Sequence, residues 1–372
     1  MKTDFQDRAT GALMGAFIGD ALGLGPHWYY DLDEMRRDFG DWIDDYTTPK
    51  PGRYHEGLEA GDLSQAGYIL NLTLSSLIDR GAYDEQDFCH HMDTELLART
   101  DGTPYSGPGG YTSQSIRDVW QKRVENGRPW GEIGGHADTT EAIERTLAIA
   151  VRYAKNPQRL SQYVASNTML TQTDDMVVSL TVAFNAVLGQ LLEGDALDAR
   201  ISDTLMKKVQ QGHLPFHAGS GKKPPPGEND DLVMGRTGNF ASPDPLLTPG
   251  FIAQAAKDSA ISIEPASKVS LIYGMPCAIY HVVPAAYYLS SRFSDDFESA
   301  VLHAVNGGGQ NQARAMLTGA LVGAQVGLSG IPRRFLSGLK DSTALLRRVK
   351  TLVEQVEAEA DTNRNTEAEA AE

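Results

Sequence analysis

The segment from Ala304 to Ala324, AVNGGGQNQARAMLTGALVGA, joins a glycine run to three amide side chains. Glycine lets a backbone approach a partner closely, and the amides that follow are Gln310, Asn311 and Gln312. An amide donates and accepts hydrogen bonds but carries no charge, and hard cations prefer carboxylate oxygens. The pattern favours a loop that binds hydroxyl groups of a ligand, with Gly308 and Gly309 allowing close contact. A role in packing alone is the alternative.

Four side chains could supply acid and base chemistry: Asp20, His27, His55 and Asp62. Histidine titrates near neutral pH, and burial of an aspartate can raise its pKa towards that range. We expect Asp62 or Asp20 to act as a base towards water, and His27 or His55 as an acid. The alternative for each histidine is a purely structural role.

Two further motifs could contact a ligand. The run HWYY includes Trp28, on which a base could stack, although aromatic residues at this density are also ordinary core material. The run GGHADTTEAIERTL could begin a helix at Thr139 or Thr140. Exposed N–H groups at that helix start could hold a phosphate, or the threonine could be an ordinary helix cap.

Apolar residues recur mostly at helical spacing, and alternating runs are scarce, so the sequence predicts an all-α protein. Clear amphipathic helices are LSQAGYILNLTLSSLIDRG, TTEAIERTLAIAVRYAKN, DDMVVSLTVAFNAVLGQLLEG and TALLRRVKTLVEQVEAEA. We expect one domain over residues 1–350, with a long loop or lid near 213–249. The acidic tail 357–372 is expected to be solvated or disordered because it is poor in apolar residues.

Glycines four residues apart mark two of the helices. They are Gly11, Gly15, Gly19 and Gly23 near the start of the chain, and Gly319, Gly323 and Gly327 near its end. Each helical glycine costs about 1 kcal/mol relative to alanine, so a stripe of glycines indicates close helix packing. We expect both helices at the centre of the bundle, bringing Asp20, Asp62 and Gln310 around one cleft.

Composition excludes several functional classes. The 372 residues include 33 Lys and Arg against 49 Asp and Glu, a net charge of −16, which disfavours nucleic acid and anionic membranes as partners. Cys89 and Cys277 lie far apart without metal-ligand spacing, as expected for buried thiols in a reducing compartment. The N-terminal apolar run is interrupted by Asp20 and fits neither a signal peptide nor a membrane span. A cytoplasmic location is therefore expected.

Three segments together resemble the ADP-ribosylglycohydrolase family. They are GALMGAFIGDALGLGPHWYYD, YHEGLEAGDLSQAGYIL, and VPAAYYL followed by AVNGGGQNQARAMLTGALVGA. The resemblance is closest to the branch containing J1-crystallin and selenoprotein J. It implies a compact orthogonal helical bundle with one central cleft. In active relatives this cleft holds two Mg²⁺ ions that bind the ribose diol and position the hydrolytic water.

Several positions depart from the family pattern. Where relatives carry Thr-Asp-Asp-Thr, this chain has Gly61, Asp62, Leu63 and Ser64. Where relatives carry Gly-Gly-Asp-Thr-Asp-Thr, it has the residues from Gly308 to Ala313, and Gln172 stands where the family has a histidine. Asp20 is kept. A magnesium pair needs several carboxylates, so we predict no metal site and no certain cofactor.

The resulting hypothesis is hydrolysis of an N- or O-ribosyl bond in an ADP-ribosyl or nucleoside-like compound, with the di-magnesium site largely lost. The alternative is a catalytically inactive ADP-ribose-binding or crystallin-like structural protein. The oligomeric state is left open. The expected contacts to the small-molecule ligand come from Ser64, Trp28, Gly308, Gly309, Gln310, Asn311 and Gln312.

Overall fold

The computed structural model describes residues 3–216, 240 and 244–371. These residues contain sixteen α-helices joined by loops and short helical turns. Within these ranges the only β pairing consists of isolated bridges, so the all-α prediction is confirmed. The helices are α1 (Phe5–Leu24), α2 (Leu32–Phe39), α3 (Gln65–Arg80), α4 (Glu85–His91), α5 (Gln114–Trp120), α6 (Glu141–Arg152), α7 (Pro157–Met169), α8 (Asp175–Glu193), α9 (Ile201–Gln210), α10 (Asp244–Lys257), α11 (Val269–Tyr273), α12 (Ile279–Arg292), α13 (Phe297–Val305), α14 (Asn311–Val326), α15 (Arg333–Gly338) and α16 (Ser342–Ala371).

The two glycine-striped helices, α1 and α14, pack antiparallel against each other in the interior. A Cβ atom on Gly15 would lie 2.2 Å from the carbonyl oxygen of Gly319, and one on Gly19 would lie 2.1 Å from that of Ala315. Gly11 meets Gly323 in the same way at 2.4 Å. Such distances are possible only for glycine, so the stripe is explained by backbone contact. The predicted central position of both helices is confirmed.

The antiparallel pairing determines which residues meet at one end of the bundle. The last turn of α1 lies beside the first turn of α14, where Gly23 packs on the backbone of Gln312. The start of α3 joins them, because its N-cap residue Ser64 hydrogen-bonds to Asp20 on α1. Residues far apart in sequence are therefore held together by one backbone contact and one capping contact.

Helix α8 is, within the described residues, the one helix long and apolar enough to cross a membrane. However, 83% of its apolar window is buried inside the fold. This burial is typical of a core helix, and α8 packs against α6 and α7.

The sequence predicts two irregular segments, the loop 213–249 and the tail 357–372. Of the predicted loop 213–249, residues 217–239 and 241–243 lie outside the described residues, and 244–249 form the first turns of α10. The tail expected to be disordered continues α16 as far as Ala371. Alanine and glutamate, which dominate this tail, are both good helix formers, so the lack of apolar residues does not prevent a helical backbone. Cys89 is buried and Cys277 is half-buried.

Candidate active site

Two adjoining cavities lie where the ends of α1, α3, α6 and α14 meet. The inner cavity has a volume of about 70 Å³ and the outer one about 670 Å³. His27, Trp28, Tyr111 and Cys277 line both. The remaining residues of the inner wall are His55, Ser64, Gln65, Ala66, Ile69, Ser113, Gln114, Thr139, Glu141, Glu144, Gln310 and Gln312. The outer wall adds Tyr30, Gly52, Arg53, Tyr54, Glu56 and Tyr105.

Two buried histidines form the wall between the cavities. Nδ1 of His27 lies 2.7 Å from Nε2 of His55, and Nε2 of His27 lies 3.1 Å from Oε1 of Gln310. Nδ1 of His55 donates to the carbonyl oxygen of Gly109 at 2.6 Å. Burial lowers the pKa of both rings, that of His55 to about 4, because a charged imidazole loses its hydration inside the protein.

Backbone conformation at this wall is unusual. Trp28 has φ of 62° and His55 has φ of 69°, in the left-handed region that residues other than glycine rarely adopt. The Trp28 ring stacks on His27 with centroids 4.0 Å apart, and its Nε1–H donates to Gln310. Strained residues held by well-defined contacts are common at functional sites.

Two glutamates on the first turn of α6 also line the inner cavity, and they were not among the predicted site residues. Glu144 is buried and accepts a 2.5 Å hydrogen bond from the hydroxyl of Thr140, while Thr139 donates to the half-buried Glu141. Burial, together with the negative charge of Glu141, raises the pKa of Glu144 to about 8. The pKa of Glu141 is also raised, mainly by burial.

The sequence did contain a signal for these glutamates. In TTEAIE the two acids are three residues apart at the start of a predicted helix, so both side chains lie on the same face of that helix. The structure disfavours the expected phosphate seat at Thr139 or Thr140. The backbone N–H of Ala142 at this helix start already donates to Gln172, and two carboxyl groups lie at the same place.

Asp20 was expected to act as a base, but it does not line either cavity. It is fully buried and accepts hydrogen bonds from the backbone N–H of Ser64 at 2.8 Å, the Ser64 hydroxyl at 2.5 Å and the Gln312 amide at 2.6 Å. Burial raises its pKa to about 6, and these hydrogen bonds act in the opposite direction. Asp20 therefore joins three helices and is shielded from a ligand.

Asp62 also lies outside both cavities. Its carboxylate is 2.9 Å from Nζ of Lys340 and accepts a hydrogen bond from the backbone N–H of Glu59. Gly61 has φ of 86° and packs against the carbonyl oxygen of Gly338, so the loop is held against the segment before α16. The expected gathering of Asp20, Asp62 and Gln310 around one cleft is wrong for Asp20 and Asp62, since only Gln310 lines a cavity.

The glycine loop contacts the protein itself. Gly308 and Gly309 have φ of 66° and 58°, and a Cβ on Gly309 would lie 2.4 Å from the carbonyl oxygen of Met275. The buried Asn311 donates to the carbonyl oxygens of Pro26 and Val305. These three residues therefore form no part of either cavity wall, which corrects their expected role in ligand contact.

The other six of the eleven predicted site residues do line the inner cavity: His27, Trp28, His55, Ser64, Gln310 and Gln312. Gln310 is held by His27 and Trp28, and Gln312 by Asp20. Gln172, at the family's histidine position, is buried away from the cavity. It accepts from the N–H of Ala142 and donates to the carbonyl oxygens of Ala137 and Thr139, thereby fixing the start of α6.

Comparison with known proteins agrees with this fold. The sequence model of the ADP-ribosylglycohydrolase family matches residues 1–366, so the chain belongs to that family. An uncharacterised protein of Archaeoglobus fulgidus is 23% identical over 337 residues, covering 90% of this chain and 92% of the relative. A solved structure described as an ADP-ribosylglycohydrolase-related protein complex superposes with a TM-score of 0.60 at 17% identity, covering 95% of this chain and 99% of that one.

The family resemblance implies a magnesium pair, but the side chains at the corresponding positions are mostly uncharged and have partners within the protein. Gln310 accepts from Trp28, Gln312 donates to Asp20, and Asp62 pairs with Lys340. Among the residues described by the structure, no group of three or more His, Cys, Asp or Glu side chains is arranged to hold a metal ion. These side chains do not fit a pair of hard divalent cations, which need several free oxygen ligands.

Proposed function

We propose that this protein is a metal-independent glycohydrolase that cleaves an N- or O-ribosyl bond of an ADP-ribosyl or nucleoside-like compound. The observation that carries the proposal is the pair of carboxyl groups in the inner cavity, Glu141 and Glu144. Glycoside hydrolysis uses two carboxyl groups, one protonated and one ionised. Membership of the ADP-ribosylglycohydrolase family supports this class of reaction.

The different surroundings of the two glutamates assign their roles. With its pKa raised to about 8, Glu144 keeps its proton at neutral pH and acts as the general acid. It donates that proton to the leaving atom while the bond from this atom to the anomeric carbon breaks, and the bonding electrons go to the leaving group. Glu141 takes a proton from the water whose oxygen bonds to the anomeric carbon.

Cavity size indicates where each component lies. The inner cavity, at about 70 Å³, accommodates a few water molecules, since a water occupies about 30 Å³ in the liquid. The ligand must then occupy the outer cavity, whose wall includes Trp28, Tyr54 and Tyr111. The scissile bond would lie at the opening between the two, within reach of the inner carboxyl groups.

The role of Glu144 can be tested through the leaving group. Glu144→Gln removes the acidic proton but keeps a similar shape and an oxygen for Thr140. We expect kcat to fall by a factor of about 10²–10⁴ for an O-linked ADP-ribosyl serine peptide, whose leaving oxygen needs a proton. Hydrolysis of NAD, whose nicotinamide leaves without protonation, should change much less. Equal losses on both substrates would contradict the role of Glu144 as acid.

A second candidate function is binding of ADP-ribose without turnover, as in an inactive or crystallin-like member of the family. The favouring observation is that Asp20, Asp62 and Asn311 are all bound to the protein's own groups. Calorimetry with ADP-ribose, combined with product analysis on ADP-ribosyl peptides, separates the two. Binding without any product would support the second candidate.

A further inference from the structure

The two histidines in the cavity wall lie in a chain of three polar contacts that ends in an oxygen acceptor on each side. At one end Nδ1 of His55 faces the carbonyl oxygen of Gly109. At the centre the two rings face each other through Nε2 of His55 and Nδ1 of His27. At the other end Nε2 of His27 faces Oε1 of Gln310. Each of the three contacts needs one proton between its two heavy atoms.

Two neutral imidazole rings carry only two N–H protons, one on each ring. With His55 donating to Gly109 and His27 donating to His55, Nε2 of His27 is left with a lone pair that points at another lone pair. The distance of that contact, 3.1 Å to Oε1 of Gln310, is a hydrogen-bonding distance. A third proton on the pair of rings makes all three contacts hydrogen bonds.

Rotation of the Gln310 amide does not remove the need for the third proton. Its oxygen also accepts from Nε1–H of Trp28, and an indole nitrogen can only donate. If the amide were turned, its NH₂ group would satisfy His27 but would face the donor of Trp28. Either orientation of Gln310 therefore leaves one mismatched contact while the rings are neutral.

The surroundings can compensate a positive charge at this place. The face of Trp28 stacks on His27 with centroids 4.0 Å apart, an arrangement that stabilises a cation. The titratable groups on the inner wall are Glu141, Glu144, Cys277 and Tyr111, while the outer wall adds Arg53, Glu56 and three tyrosines. Glu141 and Glu144 are the acidic groups that share the inner wall with the two rings.

Burial opposes this charge, and it acts on both rings. The two rings also interact, because a charge on His55 lowers the pKa of His27, so the pair takes up one proton and not two. The charged pair also gains a hydrogen bond to Gln310, and hydrogen bonds that involve an ion are stronger than neutral ones.

We propose that His27 and His55 hold one shared extra proton at neutral pH and form a singly charged pair in the wall between the two cavities. The pair would supply the fixed positive charge of this site. The inference does not depend on the proposed hydrolysis, since it concerns the resting protein without a ligand.

Nitrogen NMR of protein labelled with ¹⁵N-histidine tests the proposal directly, because protonated and unprotonated ring nitrogens resonate well apart. The chain has nine histidines, and His27→Gln and His55→Gln variants assign the two sets of signals. We expect three protonated nitrogens out of four at pH 7. Two protonated nitrogens out of four in the unaltered protein would overturn the proposal.

A matched pair of variants tests the role of Gln310. Gln310→Leu removes the acceptor, so the pair should lose its extra proton and show two protonated nitrogens at pH 7. Gln310→Glu keeps an acceptor and should retain three, and the proton should be lost at higher pH than in the unaltered protein. Gln114→Leu, on the same inner wall but without contact to either histidine, should leave the signals unchanged. Identical spectra for the Leu and Glu variants would contradict the role of Gln310.

Discussion

Gln312 donates a 2.6 Å hydrogen bond to Asp20, joining the first turn of α14 to the last turn of α1. Both residues are buried, and Ser64 at the start of α3 donates to the same carboxylate. This contact makes Asp20 a residue that positions the cavity wall. It also explains why a carboxylate kept from the family pattern does not face the cavity.

We predict strong energetic coupling between Asp20 and Gln312. Asp20→Asn replaces one acceptor by a donor that faces other donors, and Gln312→Met leaves the carboxylate short of one hydrogen bond. Each should lower the free energy of unfolding by about 1–3 kcal/mol. A double-mutant cycle in urea should give a coupling energy above about 1 kcal/mol. Simple additivity would mean that the hydrogen bond contributes little.

The glycine contact between α1 and α14 predicts very different effects for two glycine-to-alanine changes in helices. On Gly19 the new Cβ would lie 2.1 Å from the carbonyl oxygen of Ala315, whereas on Gly189 in α8 it would lie 3.1 Å from a flexible leucine methyl. We expect Gly19→Ala to lower the free energy of unfolding by several kcal/mol, through forced separation of the helices. Gly189→Ala should stay within about 1 kcal/mol of the original. Similar melting temperatures for the two would contradict the packing account.

Asn311→Ala should reduce stability without changing ligand affinity. The amide donates to the carbonyl oxygens of Pro26 and Val305, and the latter also accepts from the N–H of Gly308. Removal of the amide takes the Asn311 donor away from both oxygens, at a cost of about 1–3 kcal/mol. Affinity for ADP-ribose, measured by calorimetry below the melting temperature, should stay within a factor of two to three. A large loss of affinity in the folded variant would contradict this prediction and indicate that Asn311 contacts the ligand.

The pKa of Glu144 predicts a specific pH dependence of stability. Its pKa is raised from 4.5 to about 8 by burial, so between these values the folded state binds more protons than the unfolded state. The free energy of unfolding should therefore fall as pH rises through this window. One pKa unit corresponds to about 1.4 kcal/mol, so the contribution is of the order of a few kcal/mol.

The comparison of Glu144→Gln with the exposed control Glu132→Gln isolates this contribution. Urea unfolding at several pH values from 5 to 8.5 should show a smaller fall in stability for Glu144→Gln than for the original. Glu132→Gln should show the same pH dependence of stability as the unaltered protein, because Glu132 is exposed. If Glu144→Gln follows the original curve as well, Glu144 is ionised in the folded protein and cannot be the proposed acid.

The sequence was sufficient for the fold class and for the central helix pair. The glycine stripe implied a backbone contact between α1 and α14, and helical periodicity predicted α3, α6, α8 and α16. The sequence did not predict the position of the Asp62 side chain. Asp62 pairs with Lys340, 278 positions later in the chain, and no local sequence pattern shows this contact. The spacing of Glu141 and Glu144 predicts that they share one face of α6, but their burial depends on tertiary contacts that the sequence does not show.

The loop with three amides shows a second limit of sequence reasoning. Gln310, Asn311 and Gln312 have the same chemistry, but helical geometry points them to different partners. Gln310 meets the histidine wall, Asn311 meets two backbone carbonyls, and Gln312 meets Asp20. Residue type predicted hydrogen bonding correctly, but the partners depended on the position of each residue at the start of α14.

Hydrolysis of ADP-ribosyl peptides in the presence of EDTA tests the central claim most directly. N-linked and O-linked ADP-ribosyl peptides would be incubated with the full chain in EDTA or in Mg²⁺, and released ADP-ribose would be measured by chromatography. Metal-independent hydrolysis by Glu141 and Glu144 predicts the same rate in both conditions and a large loss in Glu144→Gln. Activity abolished by EDTA and restored by Mg²⁺ would contradict the account, as would the absence of product in both conditions.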